Sequence, residues 1–428
     1  MQKVLIITYY WPPAGGPGVQ RWLKFIKYLR GFHIDPIVFI PENPHYPFQD
    51  ESLLKDIPQG IKVIKQPIFE PYGLASLFSS KKTKRISSGI IHDFKRQSPL
   101  ERLLLWIRGN LFVPDARKYW VRPSIRRIRH LLDEEEISTV ITTGPPHSVH
   151  LIGKGLKENL NIRWIADFRD PWTSIGYHKK LKLTKAAQRK HKRLESSVLN
   201  TADALIVTSE TTKREFQEIT AKPISVITNG YDHTIEDAKV DSYFSLSHIG
   251  SLLTERNPKS LWKALSALVR ENSKFASLLK IRLIGVVGDG VMASLKEHAL
   301  TDYVELLGYM PHDSVLHYQL RSQVLLLLEI DSLETRGIIP GKLFEYFNAK
   351  RPILAIGPDG WEAGELVKKH QAGEYAYQKD GGAIKQILLN LFAQYESGNL
   401  KCDSKGTGQY HRKELTRQMA KLMEWESS

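Results

Sequence analysis

Apolar runs alternate with polar or helix-patterned segments along the 428-residue chain, and they do so in two similar series. The first opens with VLIITYY (residues 4–10), a continuous apolar, β-branched and aromatic run typical of a strand buried on both faces. Shorter runs follow at Ile37–Ile40, Ile61–Ile64, Thr139–Thr142, Arg163–Ala166 and Ala204–Val207. Just after the first run, Val19, Trp22, Leu23, Ile26 and Leu29 recur at helical spacing, with Arg21, Lys24, Lys27 and Arg30 elsewhere around the cylinder. Such alternation predicts a parallel sheet with helices on both faces. Periodicity stops between the Asn229-Gly230 turn and about Ser242, then restarts. The second series reads strand (Leu246–Gly250), helix (about Pro258–Arg270), then strands at Ile281–Val286, Val304–Leu307, Val324–Leu328 and Ile353–Ile356 with helical patterns between them. Expected are two Rossmann-like parallel α/β domains, 1–235 and 236–400. A closing segment, 401–428, has a helical pattern (Leu415, Met419, Leu422, Met423) expected to pack back across them.

The stretch with the most chemistry is GIIPGKLFEYFNAKRPILAIGP, residues 337–358. The loop Pro340-Gly341 permits close backbone approach, and the helix that starts near Lys342 adds its positive N-terminal end, a combination that attracts anions. Lys342 supplies a charge there, and Glu345, on the same helix turn, is an acceptor suited to a diol such as ribose. Together they point to a nucleoside diphosphate; the plain alternative is an ordinary helix start with a solvated ion pair. Arg256, in a loop beyond the first strand of this domain, falls on the same carboxyl edge, and two cations at one edge suit a diphosphate.

In the first domain, WPPAGGPGVQRW sets Gly15, Gly16 and Gly18 between a strand and a helix. The spacing is not GxGxxG, which disfavours hydride chemistry but leaves a loop open to close backbone approach. TTGPPHSVH puts His147 after a strand and two prolines, where the ring can project over the carboxyl edge of the sheet, and IRWIADFRDPW puts Asp167, Arg169 and Asp170 at the end of another strand. Structural histidines and turn-forming Asp-Pro pairs are common alternatives.

Composition adds location. One cysteine, Cys402, allows no intrachain disulfide and suits a reducing compartment. The N-terminus carries no cleavage pattern and no apolar run approaches a spanning length, so neither export nor membrane spanning is expected. The net charge of +15 is concentrated: Lys81–His130 holds 14 Lys/Arg against 3 Asp/Glu, and His178–Arg193 holds 8 against none. A confined basic excess calls for a polyanionic partner, lipid headgroups or nucleic acid, unless it is a pair of solvated helices. Within the first segment Leu100, Leu103, Leu104, Ile107 and Leu111 form a helical stripe flanked by Arg102 and Arg108, compatible with an interfacial helix, although core packing is the commoner use of such a stripe.

The ordered set of glycine loop, VITNGYD, RNP, LGYMPHDSV and PGKLFEYFNAKRPILAIG resembles glycosyltransferases of family 4, and TGPPHSVH with IADFRDPW resembles a bacterial branch tied to cell-surface polysaccharide assembly. The resemblance implies a GT-B fold, two Rossmann-like domains facing a cleft. It implies retaining transfer from a nucleotide-diphosphate sugar without a metal or other cofactor, to a lipid-linked or glycan acceptor, by a cytoplasmic protein peripheral on the inner membrane face. Glu345 would bind the ribose, Arg256 and Lys342 the diphosphate, the backbone of Tyr309, Met310 and Pro311 the base, and Gly15 and Gly16 the phosphates and sugar, with Gly341 and Leu343 also on the donor side. His147, Asp167 and Asp170 are the catalytic candidates. Two departures stand out: Gly337 occupies the place of the first Glu of the family's acidic pair, and Ser251 that of a phosphate-binding Arg; Glu334 or amides near Gly337 are the candidate substitutes. A nucleotide-sugar epimerase of the same fold is the competing enzyme reading. A nucleic-acid-binding protein is the other, without zinc spacing, RNP-like aromatics or helix-turn-helix to support it.

Overall fold

The computed structural model describes residues 1–71, 99–176, 178, 181–232 and 238–424. The chain forms two compact units, one of Met1–Asn229 with the returning segment from Arg412, the other of Gly230–His411. Their division falls in the Asn229-Gly230 turn, where the sequence pattern breaks.

The first unit holds seven parallel strands: β1 (Gln2–Thr8), β2 (Ile34–Glu42), β3 (Lys62–Pro67), β4 (Thr139–Gly144), β5 (Arg163–Phe168), β6 (Ala204–Val207) and β7 (Ile224–Val226), in the order β3-β2-β1-β4-β5-β6-β7. Alternation along β1 sends Leu5 and Ile7 into one core and Val4 and Ile6 into the other, which is why its run is apolar throughout. The second core takes Val19, Trp22, Leu23 and Ile26 from the helix Pro17–Leu29, and Leu415, Met419 and Met423 from the final helix, Arg412–Met423, which belongs to this unit.

Six parallel strands make the second sheet: β8 (Phe244–Ile249), β9 (Leu279–Ile284), β10 (Val304–Gly308), β11 (Val324–Leu328), β12 (Ile353–Gly357) and β13 (Gly373–Tyr377), in the order β10-β9-β8-β11-β12-β13. Edge strands β7 and β13 are less apolar than the central ones because each is only partly covered, and the sequence pattern shows neither as a distinct run. In each sheet the order reverses beside the unit's first strand, between β1 and β4 and between β8 and β11. Open α/β sheets bind ligands beyond the carboxyl ends of strands at such reversals. At the second reversal the strands pair only at Val324–Leu246 and Leu325–Ser247. Beyond that, the Ile249 N–H donates to the Tyr346 hydroxyl at 3.3 Å, tying the strand end to the helix Lys342–Ala349.

Candidate functional site

On the second sheet the site is built around the exit of β8. Gly250 follows it with φ 110°, and a Cβ there would lie 2.8 Å from Lys342 Nζ, so glycine supplies both the backbone conformation and the room for the ammonium. The helix carrying Lys342 starts at Gly341 and is pinned by buried Leu343, Phe344, Tyr346 and Phe347. Burial pushes the Lys342 amine down to about 7, Arg256 adds to that effect, and Glu329 and Glu345 oppose it. Arg256, in the turn Thr254–Arg256, donates through Nε and Nη2 to Glu329 Oε1 at 3.1 and 3.0 Å. Glu329, at the end of β11, is 1% exposed and also accepts the Ile330 N–H at 2.8 Å. Glu329 is thus engaged with Arg256, and burial leaves the Lys342 amine short of the charge stabilisation that an incoming dianion would supply. One turn along the helix, Glu345 Oε2 accepts from Gln319 Nε2 at 3.0 Å, and its Oε1 lies 3.7 Å from His312 Nε2.

The other donor-side candidates divide by burial. Tyr309 is exposed, Met310 is half-buried against the core, and Pro311 precedes the helix His312–Arg321. Leu343 is an anchor: its side chain is buried and its N–H donates to Pro340 O at 3.0 Å, so neither group is presented to a ligand.

On the first sheet the glycine loop pairs with residues 48–50: the Gly15 N–H donates to Phe48 O at 3.1 Å and the Asp50 N–H to Pro13 O at 2.7 Å. The Phe48 ring lies on Gly15, where a Cβ would be 2.3 Å from it, whereas nothing lies within 4 Å of the corresponding point at Gly16. Gly16 is therefore the open member of the pair. Arg169 lies against Gly18 and donates to Gly144 O at 3.2 Å and to Pro145 O.

The three catalytic candidates have unlike surroundings. Asp167 is fully buried and accepts from Arg21 Nη2 (3.0 Å), Trp22 Nε1 (2.8 Å) and Thr143 Oγ1 (2.8 Å). Burial works against its charge, but Arg21 and these hydrogen bonds outweigh it and hold its pKa below the ordinary value. Arg21 in turn donates to Ile227 O and Thr228 O, fixing the chain where it leaves the unit. His147 does not project over the edge as expected: its ring stacks on Trp172 with centroids 4.8 Å apart, and both ring nitrogens are buried without a hydrogen-bond partner among the described residues. Burial keeps it neutral, far below the usual imidazole range. The ring sits inside because apolar Trp172 and Phe168 close over the start of the helix Ser148–Lys157. Asp170 is only partly buried, its pKa is raised by burial with Arg169 opposing, and it takes no hydrogen bond among the described residues.

Sequence reasoning passed over Glu329, Gln319, Phe48 and Arg21. Glu329 carried a usable signal, a lone carboxylate directly after the buried run VLLLL; the others depend on contacts between distant segments. Among the described residues no group of three or more His, Cys, Asp and Glu is placed to hold a metal.

Residues 89–235 match the profile of Glycosyltransferase Family 4. Solved structures match over nearly the full length. Sucrose-phosphate synthase from Thermosynechococcus elongatus has a TM-score of 0.61 at 13% identity, covering 99% of this chain and 98% of its own. The lipopolysaccharide outer core galactosyltransferase WaaB scores 0.60 at 15%, covering 99% of each. Anabaena HepE, solved with UDP-glucose, scores 0.61 at 14%, covering 98% and 99%. No curated protein matches the sequence. The two parallel-sheet units thus share the GT-B fold of these structures, and residues 89–235 match the family 4 profile, in line with the sequence resemblance.

Proposed function

We propose that this glycosyltransferase is a retaining enzyme that moves a sugar from a nucleoside-diphosphate donor to a hydroxyl of a lipid-linked or polysaccharide acceptor in cell-envelope glycan synthesis. The observation that carries the reading is the grouping of Arg256, Lys342 and Glu329 at the carboxyl edge of the second sheet, one helix turn from Glu345. A leaving diphosphate gains negative charge as the glycosidic bond breaks. Arg256, a Lys342 recharged by the ligand, and the amides at Gly341 would meet that charge, the role a metal fills elsewhere, so no metal or other cofactor is expected. Glu345, oriented by Gln319, would accept from the ribose diol. Bound UDP-glucose in the HepE structure and the galactosyl transfer of WaaB support a nucleotide sugar as the donor class.

From the first domain, the reading assigns Gly16 to close approach and Asp170 to orienting a sugar or acceptor hydroxyl, since of the three acidic and imidazole candidates Asp170 combines a polar group without a hydrogen bond among the described residues with partial exposure. Asp167 and His147 then act by holding that edge in place. The basic segments Lys81–His130 and His178–Arg193 would bring the enzyme to an anionic membrane surface on the cytoplasmic side; residues 81–98, 179 and 180 lie outside the described residues. No described helix is long and apolar enough to cross a membrane.

Calorimetric titration with UDP, GDP and TDP tests the donor site, with one tight nucleoside diphosphate expected and loss of its binding in Arg256→Ala. Incubation with the nucleotide sugar alone separates the enzyme classes: conversion of the free donor to its epimer would replace transfer by the epimerase reading. The anomeric configuration of the product, read by NMR, checks retention.

A further inference from the structure

Part of the apolar surface of the helix Pro99–Leu111 faces away from the core. Leu103 and Leu111 are 53% and 55% exposed and Trp106 39%, while the helix is held through its other side by Leu105 and Gly109. A Cβ on Gly109 would lie 2.6 Å from Leu183 Cδ2 and 2.9 Å from Leu181 O, so this face is pressed against the segment at 181–183. Leu103, Trp106 and Leu111 form the outward face with half-buried Ile107 between them, and Arg102 and Arg108 border it on either side. The face continues past the helix end: Tyr119 meets Phe112 and Phe69 edge-on, with centroids 6.4 and 5.8 Å away, and Lys118 Nζ stands 5.2 and 5.1 Å over the rings of Phe112 and Tyr119.

A helix that buries Leu105 and Gly109 yet leaves Leu103, Trp106 and Leu111 exposed has apolar surface beyond what its own core uses. Charge identifies what the face suits. The two basic segments, far apart in sequence, are joined here: Asn110 donates to Lys182 O at 3.3 Å and accepts the Thr184 N–H at 2.7 Å. Lys185, Arg189, Lys190, Lys192 and Arg193 are all exposed on the adjoining helix, Lys185–Thr201. Aliphatic side chains, a Trp and a Tyr with polar edges, and flanking cations with long stems match the layering of a lipid interface, where apolar groups enter, aromatics sit at the headgroups and cations stay among the phosphates.

We propose that the helix Pro99–Leu111 and the adjoining Phe112–Tyr119 edge insert into an anionic bilayer surface, with Leu103, Trp106 and Leu111 entering the acyl boundary. The proposal rests on the membrane-surface reading above and extends it from attraction to insertion.

The test uses the full chain and vesicles of equimolar phosphatidylcholine and phosphatidylglycerol. The wild type is expected to co-sediment with them, and the triple substitution Leu103→Ser, Trp106→Ser, Leu111→Ser to lower partitioning more than roughly tenfold, since three large apolar side chains no longer enter the acyl boundary. The fluorescence lost in Trp106→Phe isolates Trp106, whose emission should be quenched by lipids brominated near the headgroup end of the acyl chain. Because the three positions are exposed, the variant should keep its melting temperature and its nucleoside-diphosphate binding. Unchanged partitioning of the triple variant, or no quenching of Trp106, overturns the proposal; so does a wild-type dimer that the triple substitution dissolves, which would make a second copy the occupant. Absent nucleoside-diphosphate binding in the wild type would instead count against the donor-site reading and leave the vesicle result standing.

Discussion

The carboxyl edges of the two sheets use charge in opposite ways. On the first, Asp167 is enclosed by Arg21, Trp22 and Thr143, and His147 is stacked out of reach of water. On the second, Lys342 is held against its preference for solvent, and Arg256 is paired with the buried Glu329. At the first edge Asp167 is satisfied internally, so its work is to hold the chain in place, and Asp170 is left as the acidic group without a hydrogen bond among the described residues. The second keeps an electrostatic demand that an anion would satisfy. Polar residues at strand ends look alike in sequence; their partners separate scaffold from site.

Substitutions that strike each edge sharpen this contrast. The largest effect is expected at the first edge: Asp167→Ala leaves the Arg21 guanidinium buried without its counter-ion and should cost about 3–5 kcal/mol in chemical denaturation. Nucleoside-diphosphate affinity per folded molecule should be unchanged. His147→Ala should lower stability by about 3 kcal/mol through the cavity left beside Trp172 and Phe168. Turnover per folded molecule should survive, and a stable but inactive variant would return the imidazole to the chemistry.

At the second edge, Glu345→Ala should leave the melting temperature nearly intact and weaken nucleoside-diphosphate binding by roughly 1.5–3 kcal/mol, read by calorimetry. The pH dependence there follows from the sign of the Lys342 shift. Its pKa is lowered in the free protein, so near and above about 7 the amine loses its proton; a bound diphosphate restores the charge, and binding must take up a proton. Affinity should fall roughly tenfold between about pH 6 and pH 8, with proton uptake visible as a dependence of the calorimetric heat on buffer. Lys342→Arg, charged throughout, should remove the decline. The smallest change is expected for Gln319→Leu, about 0.5–1.5 kcal/mol of affinity as Glu345 loses its orienting donor.

Much of the second edge was legible in the sequence because its parts lie close together or at strand ends. Lys342 and Glu345 share one helix turn, and Arg256 follows a recognisable apolar run. Its tuning was not legible: Glu329 and Arg256 are 73 positions apart, and Gln319 reaches Glu345 across 26. The first edge misled. A histidine after two prolines at a strand end reads as a ligand whether the ring points outward or into a stack with Trp172.

Hydrophobic period alone determined that this chain forms two parallel-sheet units, because burial on both faces demands unbroken apolar runs and helices between them need an amphipathic repeat. It also determined that the region 99–111 is helical with an apolar stripe. Which way that stripe faces was left to tertiary packing, where Gly109 fits closely against Leu181 and Leu183 and turns Leu103, Trp106 and Leu111 outward. The same holds for each charge at the strand ends: residue type sets its sign, while burial and the partner brought by a distant segment set whether it stabilises the fold or waits for a ligand.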